Sequence, residues 1–384
     1  MEPSVLTRTW LGTCAAVAVC APTLAAQRDW HSSLYPYVYY STSDGVWGAA
    51  RYALTSPLGF AERPEPNAAA FTLDASASTQ GSFAVVADGR APALWAGWRV
   101  ALTVGAAREN RLGFYGLGND TPYTPGSVTS LAPYFYRVSR THATARATIQ
   151  RRVIGPLRLL AGAAIERTDF RALPGASVYR QDLATGAVDS TTIPFTDKTV
   201  RAGVVLDTRD NELDPHAGVF LEGILASGAG YTRSTAAARV YVHPLGHLTL
   251  AARVAGEGMG GTPPLATQLS MESSDHSFLA LGGYYSLRGF YDARFAGPYK
   301  LLGGVEARYA VLWKPSLFEL MVVGFCDAGR VFASGERFRL TSTGLHTSGG
   351  GEVAARVLRN SLVVVGVGAG DEGVRLLFGT RWSY

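Results

Sequence analysis

Apolar and polar residues alternate singly along most of this chain, the period of two that a β-strand imposes because successive side chains leave the backbone on opposite sides. Between Leu301 and Trp313 the odd positions carry Leu301, Gly303, Val305, Ala307, Tyr309, Val311 and Trp313, while the even positions include Glu306 and Arg308. From His247 to Glu257, Leu248, Leu250, Ala252 and Val254 stand opposite Thr249, Arg253 and Glu257. Near the end, Val374, Leu376, Phe378, Thr380, Trp382 and Tyr384 alternate with Arg375, Leu377, Gly379, Arg381 and Ser383. Each segment predicts a strand with one greasy and one polar face.

Sixteen such segments are predicted, roughly at 34–40, 45–54, 68–78, 81–88, 93–107, 131–150, 157–168, 199–208, 217–227, 234–243, 247–257, 301–313, 317–332, 345–358, 361–370 and 373–384. Connections after even-numbered strands are mostly short, as in His243-Pro244-Leu245-Gly246; several after odd-numbered strands are long, above all Gly258 to Lys300. The Pro-rich stretch Thr55 to Asn67 departs from that rule. An even number of alternating strands with short turns at one end predicts an all-β fold, a 16-stranded antiparallel transmembrane β-barrel, because in lipid every backbone N–H and C=O needs a partner strand. A soluble sandwich or propeller shares the period. Against it stand Trp95, Trp98, Tyr134, Tyr136, Trp313, Trp382 and Tyr384 at strand ends, where interfacial girdles form, and polar faces too rich in Arg, Glu and Asp for a dry core.

Composition narrows the class. Of 384 residues only 17% are charged and 44 are Gly, which excludes a disordered polar chain, a coiled coil or a disulfide scaffold. Beyond the N-terminus no run of about 18 apolar residues remains to span a bilayer as a helix. Residues 1–26, with an apolar run from Thr9 to Cys20 and small residues before Ala26, predict a cleaved secretory signal, leaving 27–384 as one barrel domain. Cys326 alone then remains, so neither an intrachain disulfide nor a thiolate zinc site is available. A net charge of +5 does not argue for nucleic acid.

Leu281-Gly282-Gly283-Tyr284-Tyr285-Ser286-Leu287-Arg288-Gly289-Phe290, followed by Gly297-Pro298, resembles the loop signature of the BamA/TamA superfamily of outer-membrane assembly factors, also called bacterial surface antigens. Phe114 to Asp120, Asp207-Thr208-Arg209-Asp210 with Pro215 and Gly218, the strand bearing Glu306, and Gly324 to Val331 resemble family positions in the same order. The resemblance implies a bacterial outer-membrane barrel whose extracellular loop, Gly258 to Lys300, folds inward so that Arg288, beside Gly289 and Phe290, meets Glu306 and Asp327. It also implies a labile seam between the first and last strands, where an exposed edge templates a client strand. On the residues themselves, Pro36 removes a ladder donor from the first strand, and Gly379 weakens packing in the last. Gly379, Trp382 and Tyr384 resemble a barrel's terminal insertion signal, with Leu377 at a usually polar position. One departure is that fewer than ten residues separate the expected cleavage site from the first strand, leaving no room for the POTRA domains such factors generally carry.

Enzymatic signals are poor. His243 and His247 flank a tight turn, better read as a hairpin than as metal ligands. Ser273, Ser274, Asp275 and His276 lack a visible oxyanion hole, and no Gly-Lys-Ser/Thr follows the glycines around Arg288. The expectation is therefore a non-enzymatic barrel, without cofactor or metal, that assists insertion or translocation of proteins or lipids. The competing expectation is a loop-gated pore. The partners expected are outer-membrane lipids including lipopolysaccharide, client barrel proteins or a separate periplasmic partner, and no nucleic acid.

Overall fold

The computed structural model describes residues 29–41, 44–58, 64–314, 317–332, 336, 342–357 and 361–384. The expected signal at 1–26 lies outside the described residues. The chain forms one 16-stranded antiparallel sheet in which each strand pairs with its neighbour in sequence. The strands are β1 His31–Ser41, β2 Gly45–Pro57, β3 Asn67–Ser78, β4 Phe83–Trp95, β5 Trp98–Gly113, β6 Arg137–Ile154, β7 Leu157–Ala172 and β8 Phe195–Asp207. They continue with β9 Gly218–Gly228, β10 Tyr231–Leu245, β11 Leu248–Gly261, β12 Tyr299–Lys314, β13 Phe318–Phe332, β14 His346–Val357, β15 Ser361–Gly370 and β16 Gly373–Gly379. A separate two-stranded hairpin, Ser270–Met271 with Phe278–Leu279, lies in the connection from β11 to β12.

Register carries the alternation across the ladder. Val305 pairs with Ala252 and Cys326, whereas Glu306 pairs with Ala251 and Phe325, so odd and even positions of β12 keep opposite faces on both neighbours. Followed outward, Val254, Val305, Val322, Val353, Val365 and Leu376 share one face and are all exposed. The other face buries Arg201, Arg233, Arg253, Glu257, Glu306, Arg308, Asp327 and Glu352. A sheet with one apolar, exposed face and one charged, buried face is the polarity that strands of a membrane-embedded sheet carry.

Turns and loops segregate as the alternation predicts. Trp95-Ala96-Gly97-Trp98 reverses the chain between β4 and β5 with Gly97 at φ +72°, a conformation that costs a side-chain-bearing residue energy. Trp95, Trp98 and Trp313, at the short-turn end, are exposed. Connections at the other end are long, and some carry small cores of their own: Leu112, Phe114, Val138, Phe170, Tyr179, Leu265 and Leu269 pack together there.

Several expectations are corrected. The segment expected as a strand at 93–107 is Trp98–Gly113, and that at 131–150 begins only at Arg137. Tyr136 therefore sits in the loop before β6, buried, with its ring stacked on Tyr115 at 5.3 Å and its hydroxyl accepting from the Thr124 N–H at 2.8 Å. The last strand stops at Gly379. Thr380 to Tyr384 leaves the ladder and crosses the polar face: the Trp382 Nε1–H donates to Asp214 at 2.7 Å, and the Tyr384 carbonyl accepts from Arg308 at 3.3 Å. Trp382 and Tyr384 are thus buried polar-face anchors and not members of an interfacial girdle.

β1 and β16 stand at the two ends of the strand order. β1 bonds to β2 alone and β16 to β15 alone among the described residues. Pro36 lies within β1, opposite Ala50, a position an edge strand tolerates because no further strand asks for its missing donor. Leu34 and Val38 are exposed at 72% and 71%.

The apolar face generates a direct expectation. Val305→Arg, in the middle of β12, should destabilise the lipid-embedded protein by about 2–4 kcal/mol. Chemical unfolding from phospholipid vesicles measures this, and an unchanged midpoint would show that this face does not meet lipid.

Candidate functional site

The polar face gathers its charges where the β11–β12 connection crosses β12, β13 and β14. Parity places the wall residues: Gly304 pairs with Asp327, Glu306 with Phe325 and Val323 with Glu352, so three carboxylates from three adjacent strands point to one side. Arg288 enters among them and is fully buried. Its Nε and Nη2 donate to the two Asp327 oxygens at 2.8 and 2.9 Å, a bidentate fork, and its Nη1 donates to Glu306 at 2.6 Å and to Glu352 at 3.4 Å. The guanidinium plane lies 3.6 Å from the Phe325 ring centroid. Ionised, planar and fully bonded groups of this kind form the strong class of protein hydrogen bonds.

Glycines let the loop approach. A Cβ on Gly289 would stand 2.5 Å from the Ala369 carbonyl carbon, and one on Gly368 would stand 2.4 Å from the Arg288 carbonyl oxygen, so two backbones meet with no side chain between them. Phe290 then packs against Phe295 at 5.2 Å and His346 at 5.8 Å. Gly379 serves the same end, since a Cβ there would collide with the Tyr284 ring at 2.3 Å.

An Omp85 superfamily domain matches residues 99–370, most of the chain, with Arg288, Glu306, Asp327 and Glu352 among them. The chain belongs to the Omp85 superfamily. In fold it is similar to BamA from Haemophilus ducreyi lacking POTRA domains 1–3, with a TM-score of 0.56 at 13% identity, covering 90% of this chain and 69% of that one. It is also similar to CdiB from Escherichia coli, with a TM-score of 0.58 at 10% identity, covering 91% of this chain and 61% of that one. No curated protein matches it in sequence. Omp85 proteins are outer-membrane β-barrels, which agrees with the apolar outer face.

Within this Omp85 chain the site is wider than the sequence motif. Arg308 donates twice to Glu306, at 2.9 and 2.7 Å, and Ser383 Oγ donates to it at 2.7 Å. Arg253 donates to the carbonyls of Tyr285, Ser286 and Ser383 at 2.9, 3.0 and 3.3 Å. Glu306 therefore serves the loop, the wall and the C-terminal segment together. Sequence reasoning missed Glu352, Arg253, Arg308 and Ser383. Parity offered a signal for the first three, since each is a charge at an inward position of its strand, yet nothing local placed them near Arg288.

Among the residues considered for catalysis, the Asp275 N–H donates to Ser273 Oγ at 3.2 Å, and the side chains turn to other partners. Ser273 and Ser274 donate to Glu222 at 2.7 and 2.5 Å, Asp275 accepts from Arg239 at 3.0 Å, and the His276 ring packs on Tyr285 at 5.1 Å. His243 Nδ1 meets Thr249 Oγ1 at 3.1 Å, whereas His247 stacks edge-on near Trp313 at 6.2 Å. No cluster of metal-ligating residues occurs among the described residues.

Two predictions follow from the loop. Arg288→Ala leaves buried carboxylates without their cation and should cost about 3–5 kcal/mol. Arg288→Lys should recover only part, because an ammonium cannot reproduce the fork. Thermal unfolding in detergent reads both, and a midpoint equal to wild type for the alanine variant would show that the cage does not hold the loop. The second concerns pH: burial, and then the Arg381 charge, push His276 down to about 3 from an ordinary 6.5. The folded loop thus favours the neutral ring, so its contribution is complete above about pH 6.5 and declines as pH falls toward 3. Across pH 6.5 to 4 the midpoint of His276→Asn should fall less steeply than that of wild type; parallel curves would contradict this.

Proposed function

We propose that the sixteen strands wrap into a transmembrane barrel in the bacterial outer membrane, reached by export through the periplasm, with the β11–β12 loop as an inward plug. The barrel assists insertion or translocation of proteins, and by the same opening lipids, at the junction of β1 and β16. The observation that carries this reading is the pair of sheet edges: among the described residues β1 and β16 each bond to one neighbour only. In a bilayer such edges are costly, because backbone groups left without partners have no water to turn to. An incoming strand would supply those partners by β-augmentation.

The features of β16 favour a labile junction. It is only seven residues long, against eleven in β1, and its continuation is bonded to the polar face. Pro36 removes one donor from the opposing edge. The partners in this reading are outer-membrane lipids including lipopolysaccharide around the apolar face, and client barrel proteins or a separate periplasmic partner. No step requires covalent chemistry, so the role is not that of an enzyme. A second reading, a loop-gated channel, draws on the ion pairs that Arg288, Glu272 and Asp275 make between loop and wall.

Disulfide locking separates the two. In a Cys326→Ser background, cysteines replacing one residue of β1 and one of β16 are oxidised, and insertion of a small client barrel into proteoliposomes is followed. Locking should abolish insertion and reduction should restore it. Undiminished insertion by the locked protein would refute lateral opening. Steady conductance without insertion in either state would favour the channel.

A further inference from the structure

The loop that carries Arg288 has a second arm of opposite charge, Glu272-Ser273-Ser274-Asp275. Glu272 Oε1 accepts from Arg146 at 2.9 Å and from Arg201 at 2.6 Å, and Asp275 Oδ2 accepts from Arg239 at 3.0 Å. These arginines stand on β6, β8 and β10. Among the described residues their carboxylate partners all lie on this arm. Two other cations bond first to carboxylates outside the arm, Arg233 to Glu257 at 2.7 Å and Arg209, in the β8–β9 connection, to Asp207 at 2.9 Å, and meet Glu272 and Asp275 only at 3.9 and 3.5 Å.

The arm is seated by its backbone as well. The Glu272 N–H donates to Glu257 and the Ser274 N–H to Glu222, both at 2.8 Å. Beside Glu272 a cavity of about 70 Å³ is lined by Arg146, Arg201, Arg233 and Tyr231, and also by Glu166 and Asp197. Arg201, buried, has its Nε without a hydrogen-bond partner in this region. When the arm departs, Arg146, Arg201 and Arg239 lose the carboxylates that stand at ion-pair distance, and Glu222 on β9 is left to act on Arg201 and Arg239 from further away. Rings of arginine and lysine are how pores select anions.

We propose that the β6–β10 sector is a path for small inorganic anions, and that Glu272 and Asp275 gate it by occupying, as tethered carboxylates, the positions that permeating anions take when the arm withdraws. The proposal rests on the closed-barrel reading above but not on protein insertion. Ser273 and Ser274, which the enzymatic reading left unused, act here as the hydroxyl and amide donors that seat the arm on Glu222.

The test is single-channel recording in planar bilayers under a potassium chloride gradient, comparing wild type, E272Q/D275N, and that double variant with R201Q/R239Q added. E272Q/D275N should open more often than wild type, with a zero-current potential on the chloride side. Adding R201Q/R239Q should lower the chloride-to-potassium permeability ratio by about twofold or more. A loop loosened for merely structural reasons would raise opening without that arginine-dependent shift. Cation-selective openings, a permeability ratio indifferent to the two arginines, or a double variant that enters the bilayer and stays as silent as wild type would each overturn the proposal. Failure of every variant to partition into vesicles would instead overturn the barrel reading beneath it.

Discussion

One guanidinium surrounded by three carboxylates sets the terms for the rest of this molecule. Glu306, Asp327 and Glu352 project from neighbouring strands toward one place, and without a cation they would repel one another at short range in a site that water scarcely reaches. Arg288 answers all three, and it comes from a loop rather than from the wall. The strands that carry the acids and the loop that carries the base are thereby made mutually dependent. Neither is stable alone in this arrangement.

The supporting features serve that contact. Glycines at 289 and 368 remove the side chains that would keep the two backbones apart, and Phe325 lies flat against the guanidinium, which favours a cation electrostatically while excluding water. Glu306 has a second oxygen for Arg308 and also receives Ser383, so the segment after β16 shares a carboxylate with the loop. The length of the last strand and the position of the loop are coupled through that one residue. A strand that ran on to Tyr384 within the ladder would surrender the bonds that Trp382, Ser383 and Tyr384 make to the polar face.

The inside-out distribution of polarity explains why the site is built of charges at all. A face turned to lipid must be apolar, so the faces of an antiparallel meander that meet one another across the sheet inherit everything polar. Charged groups there must pair or cost energy, and the long connection supplies both signs, Arg288 to the acidic sector and Glu272 with Asp275 to the basic one.

Alternation by itself determined the number of strands, their order and the sense of their faces, because period two is a property of the backbone that no tertiary contact alters. Glu306 and Arg308 were legible as polar-face residues for that reason, and the loop motif around Arg288 named its partners by resemblance. Strand ends were legible only loosely. Tyr136 and Trp382 have the chemistry of an interfacial girdle, and nothing local distinguishes an aromatic that meets lipid from one that folds back on a loop or a wall. The addition of Glu352 to the cage, the sharing of Glu306 with Ser383 and the departure of residues 380–384 from the ladder were decided by the tertiary structure alone. Each depends on residues tens of positions apart arriving at one point, which register and curvature control and composition does not.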